Sequence, residues 1–309
     1  MNTKPLISFD YAIKYLLKNK GDYDIVEGFI SALLKAEGYG PVKITALLDT
    51  ESNKETSGLK KSVADLIVED SNGQKYIVEI ERASTNNFIH KACFNSCRLI
   101  IDSMSSGDDY STINKVFHIT LLYFLPSNMK KPLYHGKTIF KEIVNKEHVD
   151  LHIASMGGQI YDLNILPEYF LISVPLFDDV IRQEIDEWLY VMKHSDTKED
   201  FKSPYMEKVK ERLSILKMND IDKDGYYRYM KEVLTQRDIV SAAEARGEAR
   251  GEARGEARGK AEGKAEGKAE GEAEKAKTIA KKMLKENMDL QLIAKLTNLT
   301  IDEINQLKT

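Results

Sequence analysis

Residues 63–81 read VADLIVEDSNGQKYIVEIE, and this stretch decides the fold. Two apolar runs flank Ser71-Asn72-Gly73, a turn signal, so the segment predicts a β-hairpin. A three-residue loop ends on a left-handed residue, which suits Gly73. Asp70 then faces Gln74, Glu69 faces Lys75, Ile67 faces Ile77 and Asp65 faces Glu79. A two-residue loop would shift the register and lose both the Glu69–Lys75 and the Asp65–Glu79 pairs. Opposed residues share a sheet face with Cβ atoms about 5 Å apart. Two carboxylates that close repel unless a cation lies between them. The alternative is a solvated strand face, yet both strands are otherwise apolar, and buried carboxylates need partners. Magnesium or manganese suits such a pair, because hard divalent ions take carboxylate and water oxygens. An ion held this way can bind a phosphate oxygen and activate water, which is the chemistry of phosphodiester hydrolysis.

Outward from the hairpin, helical and strand patterns alternate. Ile25, Val26, Phe29, Ile30, Leu33 and Leu34 form one face of a helix over residues 23–36. Val42, Ile44, Ala46 and Leu48 alternate along a strand. Residues 60–70 and 74–82 are the hairpin strands, and residues 86–104 read as a helix. The run KVFHITLLYFL at 115–125 is apolar throughout, as a central buried strand requires. The expected class is α/β, with a helix–strand–strand–strand–helix–strand core around a mixed sheet and a C-terminal helical extension. The expected divisions are a core at 1–178, a helical extension at 179–243, a repeat spacer at 244–274 and a small helical tail at 275–309.

The 309 residues carry a formal charge of −4, so a chain that grips nucleic acid must gather its positive charge locally. No apolar run of membrane-spanning length occurs, and the N-terminus lacks the long apolar region of a signal peptide. Cys93 and Cys97 fit a reducing compartment. The six histidines show no zinc-type spacing.

The spacer repeats EARG four times and KAEG three times, with glycines from Gly247 to Gly271 at every fourth position. Each glycine costs a helix roughly 0.5–1 kcal/mol against alanine. Neighbours at i,i+4 within the blocks carry like charges, which is unfavourable. A frayed helix or flexible spacer is expected, with self-association as the other reading. In the tail, Thr300 and Glu303 form a capping box in an outline like a helix-turn-helix. Its last helix carries Asp302 and Glu303, which repel phosphates, so protein–protein contact or homo-oligomerisation is favoured over DNA reading.

Several segments, in order, resemble one family. They are FDYAIKYLL (9–17), IVEGFISALL (25–34), the hairpin itself, GDDYSTINKVFHITLLYF (107–124), LPEYFLISVPLF (166–177) and IDEWLYVMK (185–193). Together they resemble the Rpn-type recombination-promoting nucleases and transposases of bacteria, within the PD-(D/E)XK nuclease superfamily. The resemblance implies a bacterial cytoplasmic, magnesium-dependent DNA endonuclease linked to recombination or transposition. By position, Asp65 and Glu79 would be metal ligands, the Ile80 carbonyl a further oxygen, and Glu27 an added acidic ligand. The third signature position, lysine in the superfamily and usually glutamine in Rpn-type members, is Glu81 here. A carboxylate there could be a general base or second metal ligand. Lys61 would then supply positive charge, and Lys91 and Arg98 are candidate phosphate contacts. Glu81 also keeps open a catalytically impaired fold that binds DNA or protein.

Overall fold

The computed structural model describes residues 6–16, 23–50, 64–83, 87–146, 148–149, 152–154, 160–162 and 165–307. The chain divides into two compact units, Met1–Leu234 and Thr235–Thr309. In the first unit, helix α1 (Phe9–Tyr11) continues as a π-turn, Ala12–Leu16, and is followed by α2 (Asp24–Lys35). Strands β1 (Ile44–Leu47), β2 (Leu66–Asp70) and β3 (Lys75–Glu81) lead to α3 (Phe88–Asp102) and β4 (Val116–Leu122). Next come β5 (Leu133–Gly136), the short pairs β6 (Phe140–Lys141) with β7 (His148–Val149) and β8 (His152–Ala154) with β9 (Ile160–Asp162), and then β10 (Glu168–Ser173). Helices α4 (Glu184–His194) and α5 (Met206–Arg212) follow.

The main sheet runs β1-β2-β3-β4-β10-β5, with β3, β4 and β10 parallel and the other neighbours antiparallel. The expected order of elements is therefore present. Sequence reading did not anticipate that β10 lies between β4 and β5.

The hairpin takes the three-residue loop. The Gly73 N–H donates to the Asp70 carbonyl at 3.0 Å, the Asp70 N–H donates to Gln74, and Gly73 has φ +75°. The buried Asp70 carboxylate tightens the turn by accepting from the Asn72 and Gln74 N–H groups, each at 2.9 Å, and from Tyr76 Oη at 3.0 Å. Ladder partners are Glu69–Lys75, Val68–Tyr76, Ile67–Ile77 and Leu66–Val78. This is the register the loop length predicts.

Alternation along β3 then sorts side chains between two faces. Tyr76, Val78 and Ile80 enter the large core, where Phe9, Phe29, Phe117 and Trp188 are fully buried. Lys75, Ile77, Glu79 and Glu81 take the other face, where Ala64, Ile67, Ile77 and Val116 pack with Leu99 and Ile100 of α3. The sheet thus has α3 packed over the face that carries the carboxylates.

Two expectations about the C-terminal half need correction. Residues 179–243 do not form a separate extension, because Ile185, Trp188, Leu189 and Val191 of α4 belong to the large core and the first unit runs to Leu234. The spacer is not frayed, because helix α6 (Asp220–Lys285) runs through the whole repeat. Three of every four repeat positions are alanine, glutamate, arginine or lysine, the strongest helix formers, and they outweigh the glycines. Arg258–Glu262 at 2.7 Å and Lys268–Glu272 at 3.8 Å add pairs of opposite charge.

In the second unit the end of α6 packs with α7 (Leu290–Thr297) and α8 (Ile301–Gln306) around Ala280, Ile293 and Ile304. The Thr300–Glu303 capping box is formed. Among the described residues no helix is long and apolar enough to cross a membrane.

The turn can be tested directly. A Cβ on Gly73 would meet Asn114 Nδ2 at 2.9 Å and force a left-handed conformation on an L side chain. Gly73→Ala should cost about 1–2 kcal/mol, read as a lower urea midpoint.

Candidate active site

The carboxylates gather where β3 ends and β2 begins. Asp65 stands just before β2, and its Oδ2 accepts the Ile80 N–H at 2.7 Å. The bond ties Asp65 to β3 one residue past Glu79. Its Oδ1 lies 3.5 Å from Lys14 Nζ. Glu79, on the α3 face of β3, is only 1% exposed. Its Oε1 accepts from Asn95 Nδ2 at 2.7 Å, and its Oε2 lies 2.6 Å from Lys91 Nζ. The same ammonium reaches Glu81 Oε1 at 2.8 Å. Lys91 and Asn95 are four apart on α3, so one helical face serves both bonds.

Burial pushes the Glu79 carboxyl up to about 7; Lys91 counteracts this, while the charges of Asp65 and Glu81 add to it. Burial would lower the Lys91 ammonium's pKa, but its bonds to Glu79 and Glu81 outweigh burial and raise it. Among the described residues three carboxylates meet two ammonium groups here, a set that a further cation would balance once Glu79 is ionised.

Among the described residues no group of three or more histidine, cysteine, aspartate or glutamate side chains stands ready to hold a metal ion. The oxygens of Asp65 and Glu79 nevertheless suit a hard divalent ion, which takes one or two carboxylates and keeps several waters. Glu79 Oε2 is buried and lacks an aligned hydrogen bond despite its ion pair, so an acceptor points into the cluster.

The other expected residues go elsewhere. Glu27 does not approach the cluster. It is 7% exposed, accepts the Ile44 N–H at 3.0 Å and pairs with Lys43 at 3.2 Å. Ile44 pairs with Asp70 at the turn end of the hairpin, so Glu27 serves the start of β1 at the opposite end from Asp65. Arg98 lies two turns beyond Lys91, pairs with Asp102 at 3.1 Å, and lines a cavity of about 320 Å³ between α3 and the hairpin. Lys61 falls outside the described residues. Lys91, expected as a candidate phosphate contact, bridges two carboxylates with its side chain still half-exposed.

Sequence reading missed Lys14 and Asn95. The available signal for Asn95 was its place one turn after Lys91. It also missed the support beside Glu81, where Arg82 Nε donates to buried Asp10 at 2.8 Å and to Tyr229 Oη at 3.1 Å. Tyr229 Oη also bonds Asp10, and the Arg82 guanidinium lies 4.8 Å from the centre of the Tyr123 ring. Burial would raise the Asp10 carboxyl, but Arg82 outweighs it and holds that group below the ordinary range. His118, on the same face as Glu79, is pushed down to about 3 by burial and by the charge of Lys91. It is neutral at physiological pH.

A family model described as PD-(D/E)XK nuclease family transposase matches residues 7–243. A second, the Rpn/YhgA-like nuclease family C-terminal HTH domain, matches residues 273–309. No curated protein and no solved structure matches the chain. The first match spans the sheet, the helices on both its faces and the whole carboxylate cluster, and the second covers the three-helix tail. On that coverage the chain belongs to the PD-(D/E)XK nuclease family of transposases, in its Rpn/YhgA-like branch.

Proposed function

We propose that this chain is a divalent-metal-dependent DNA endonuclease that hydrolyses phosphodiester bonds, linked to recombination or transposition. The observation that carries the reading is the convergence of Asp65, Glu79, Glu81 and Lys91 at the end of β3. Asp65 and Glu79 would hold magnesium or manganese, with the Ile80 carbonyl as a candidate further oxygen. When bound, such an ion supplies Lewis-acid stabilisation of a phosphate oxygen. Asn95 orients the Glu79 carboxylate for that task. Lys91 provides the positive charge that the signature places at position 81, delivered from α3 instead of from β3. Glu81 holds Lys91 in place and can accept a proton from an attacking water.

A second reading, an impaired nuclease fold that binds DNA or protein, rests on Glu81 itself. The C-terminal HTH match supports DNA as a partner of the whole chain in either case. The acidic Asp302 and Glu303 on α8 favour protein contact for the tail.

Plasmid nicking with magnesium separates the two readings. Asp65→Ala, Glu79→Ala and Lys91→Ala should each lower the rate by about 10²-fold or more, since each removes a charge from the reacting centre. Equal cleavage by wild type and all three variants would sink the nuclease assignment.

Protons and metal should compete at Glu79. Its folded pKa of about 7 lies above the ordinary 4.5. A raised pKa contributes stability that is complete below 4.5 and is lost as pH rises through 7. In metal-free protein, thermal stability should therefore fall between pH 5 and 8 on account of this group, and Glu79→Gln should flatten that slope. Magnesium or manganese should raise the melting temperature of wild type more at pH 8 than at pH 6. Absence of a metal-induced shift at either pH would count against Asp65 and Glu79 as ligands.

A further inference from the structure

Asp65 and Glu79 are held in the same way. Each has one oxygen fixed by a neutral donor: Asp65 Oδ2 accepts the Ile80 N–H at 2.7 Å, and Glu79 Oε1 accepts from Asn95 Nδ2 at 2.7 Å. Each has its other oxygen against an ammonium. Lys14 Nζ lies 3.5 Å from Asp65 Oδ1, and Lys91 Nζ lies 2.6 Å from Glu79 Oε2. A neutral donor orients a carboxylate without cancelling its charge, so the outer oxygens are the ones a cation would take. Lysines from two separate elements cover both of them. Lys91 also holds Glu81 at 2.8 Å, and so has a second task. Lys14 has no part in the chemistry derived above.

Several contacts fix the segment that carries Lys14. It sits on the π-turn Ala12–Leu16, a rare geometry that recurs at functional sites. Ala12 and Ile13 just before it are fully buried. Asp10, four residues earlier, is bonded by Arg82 and Tyr229. The Tyr11 ring packs on Tyr226 at 5.1 Å and on Tyr229 at 5.2 Å, and a Cβ on Gly225 would come within 3.0 Å of Tyr11 Oη. The backbone under Lys14 is thus held by the end of β3 and the start of α6. Its side chain, 26% exposed, reaches Asp65 on a flexible four-carbon stem.

We propose that Lys14 is a place-holder for the metal and then a phosphate-binding residue. In metal-free protein its ammonium covers the metal-facing oxygen of Asp65. When a divalent ion takes that oxygen, Lys14 releases it and turns to the DNA phosphodiester. A partly exposed ion pair is weak, so it yields to a doubly charged ion. The charges fit the exchange. Once Glu79 is ionised, the carboxylates of Asp65, Glu79 and Glu81 would face Lys14, Lys91 and the divalent ion. That set carries one net positive charge, the complement of a phosphodiester's single negative charge. Without Lys14 the loaded site would be neutral and would offer a DNA strand no net attraction. The proposal rests on the reading of Asp65 and Glu79 as metal ligands, and it adds Lys14 to the residues that touch substrate.

The test compares full-length wild type, Lys14→Met and Lys14→Arg. Manganese affinity is measured by calorimetry without DNA, and plasmid nicking is measured at saturating manganese. Lys14→Met keeps the length of the stem and removes its charge. It should bind manganese about threefold tighter than wild type, because a competing cation is gone. It should nick about tenfold or more slowly, because a phosphate contact is gone. Lys14→Arg keeps a cation and should stay within about threefold of wild type in both measurements. Removing a lysine that merely braced the fold would not tighten manganese binding. If wild type binds manganese and nicks, a Lys14→Met variant that binds no tighter, or nicks as fast, overturns the proposal alone. A wild type that binds no manganese, or binds it without nicking, overturns the proposal together with the endonuclease reading.

Discussion

The β2–β3 register is the constraint on which the rest of the structure depends. Gly73 closes the turn in a left-handed conformation, and Asp70 pins it with three hydrogen bonds. A shift by one residue would turn every β3 side chain to the opposite face. Glu79 and Glu81 would then enter the aromatic core, and Tyr76 would leave its stacked contact with Phe117 at 5.2 Å. The apolar alternation of the hairpin and its charged end are thus one feature: the same register that buries Tyr76, Val78 and Ile80 delivers the carboxylates to α3.

At the charged end the backbone itself takes part. The regular ladder stops at Leu66–Val78, and the next β3 donor, Ile80 N–H, goes to the Asp65 side chain. A buried amide needs an acceptor, and here a carboxylate provides it. The bond orients Asp65 toward Glu79's strand without using both of its oxygens. Lys91 bridging Glu79 and Glu81 then makes a third carboxylate tolerable at the strand end. Removal of that ammonium would take away what holds the buried Glu79 carboxyl down, so the group would take up a proton more readily. Beside this cluster, Asp10 and Tyr229 hold Arg82, so residues far apart in sequence brace the end of β3.

The order of elements, the hairpin loop and the Asp65–Glu79 neighbourhood were all legible in the chain, because turn chemistry and strand alternation are local rules. Glu27 shows where such reading fails. Its place on the flank of α2 was correctly anticipated, but which end of the sheet α2 flanks depends on how β1 pairs with β2. Lys91 shows the converse. It was expected as a candidate phosphate contact, and the packing of α3 over Ile67 and Ile77 also brings its ammonium to Glu79 and Glu81 while the side chain stays half-exposed.

By itself, then, the sequence determined the hairpin, its register and the charge pattern of the repeat. Each of these follows from spacing along a single strand, turn or helix. Tertiary structure alone decided that β10 joins the sheet, that α4 closes the core, that Lys14 and Asn95 reach the carboxylates and that Glu27 does not. Those outcomes depend on contacts between segments tens to hundreds of residues apart, whose geometry no local periodicity encodes.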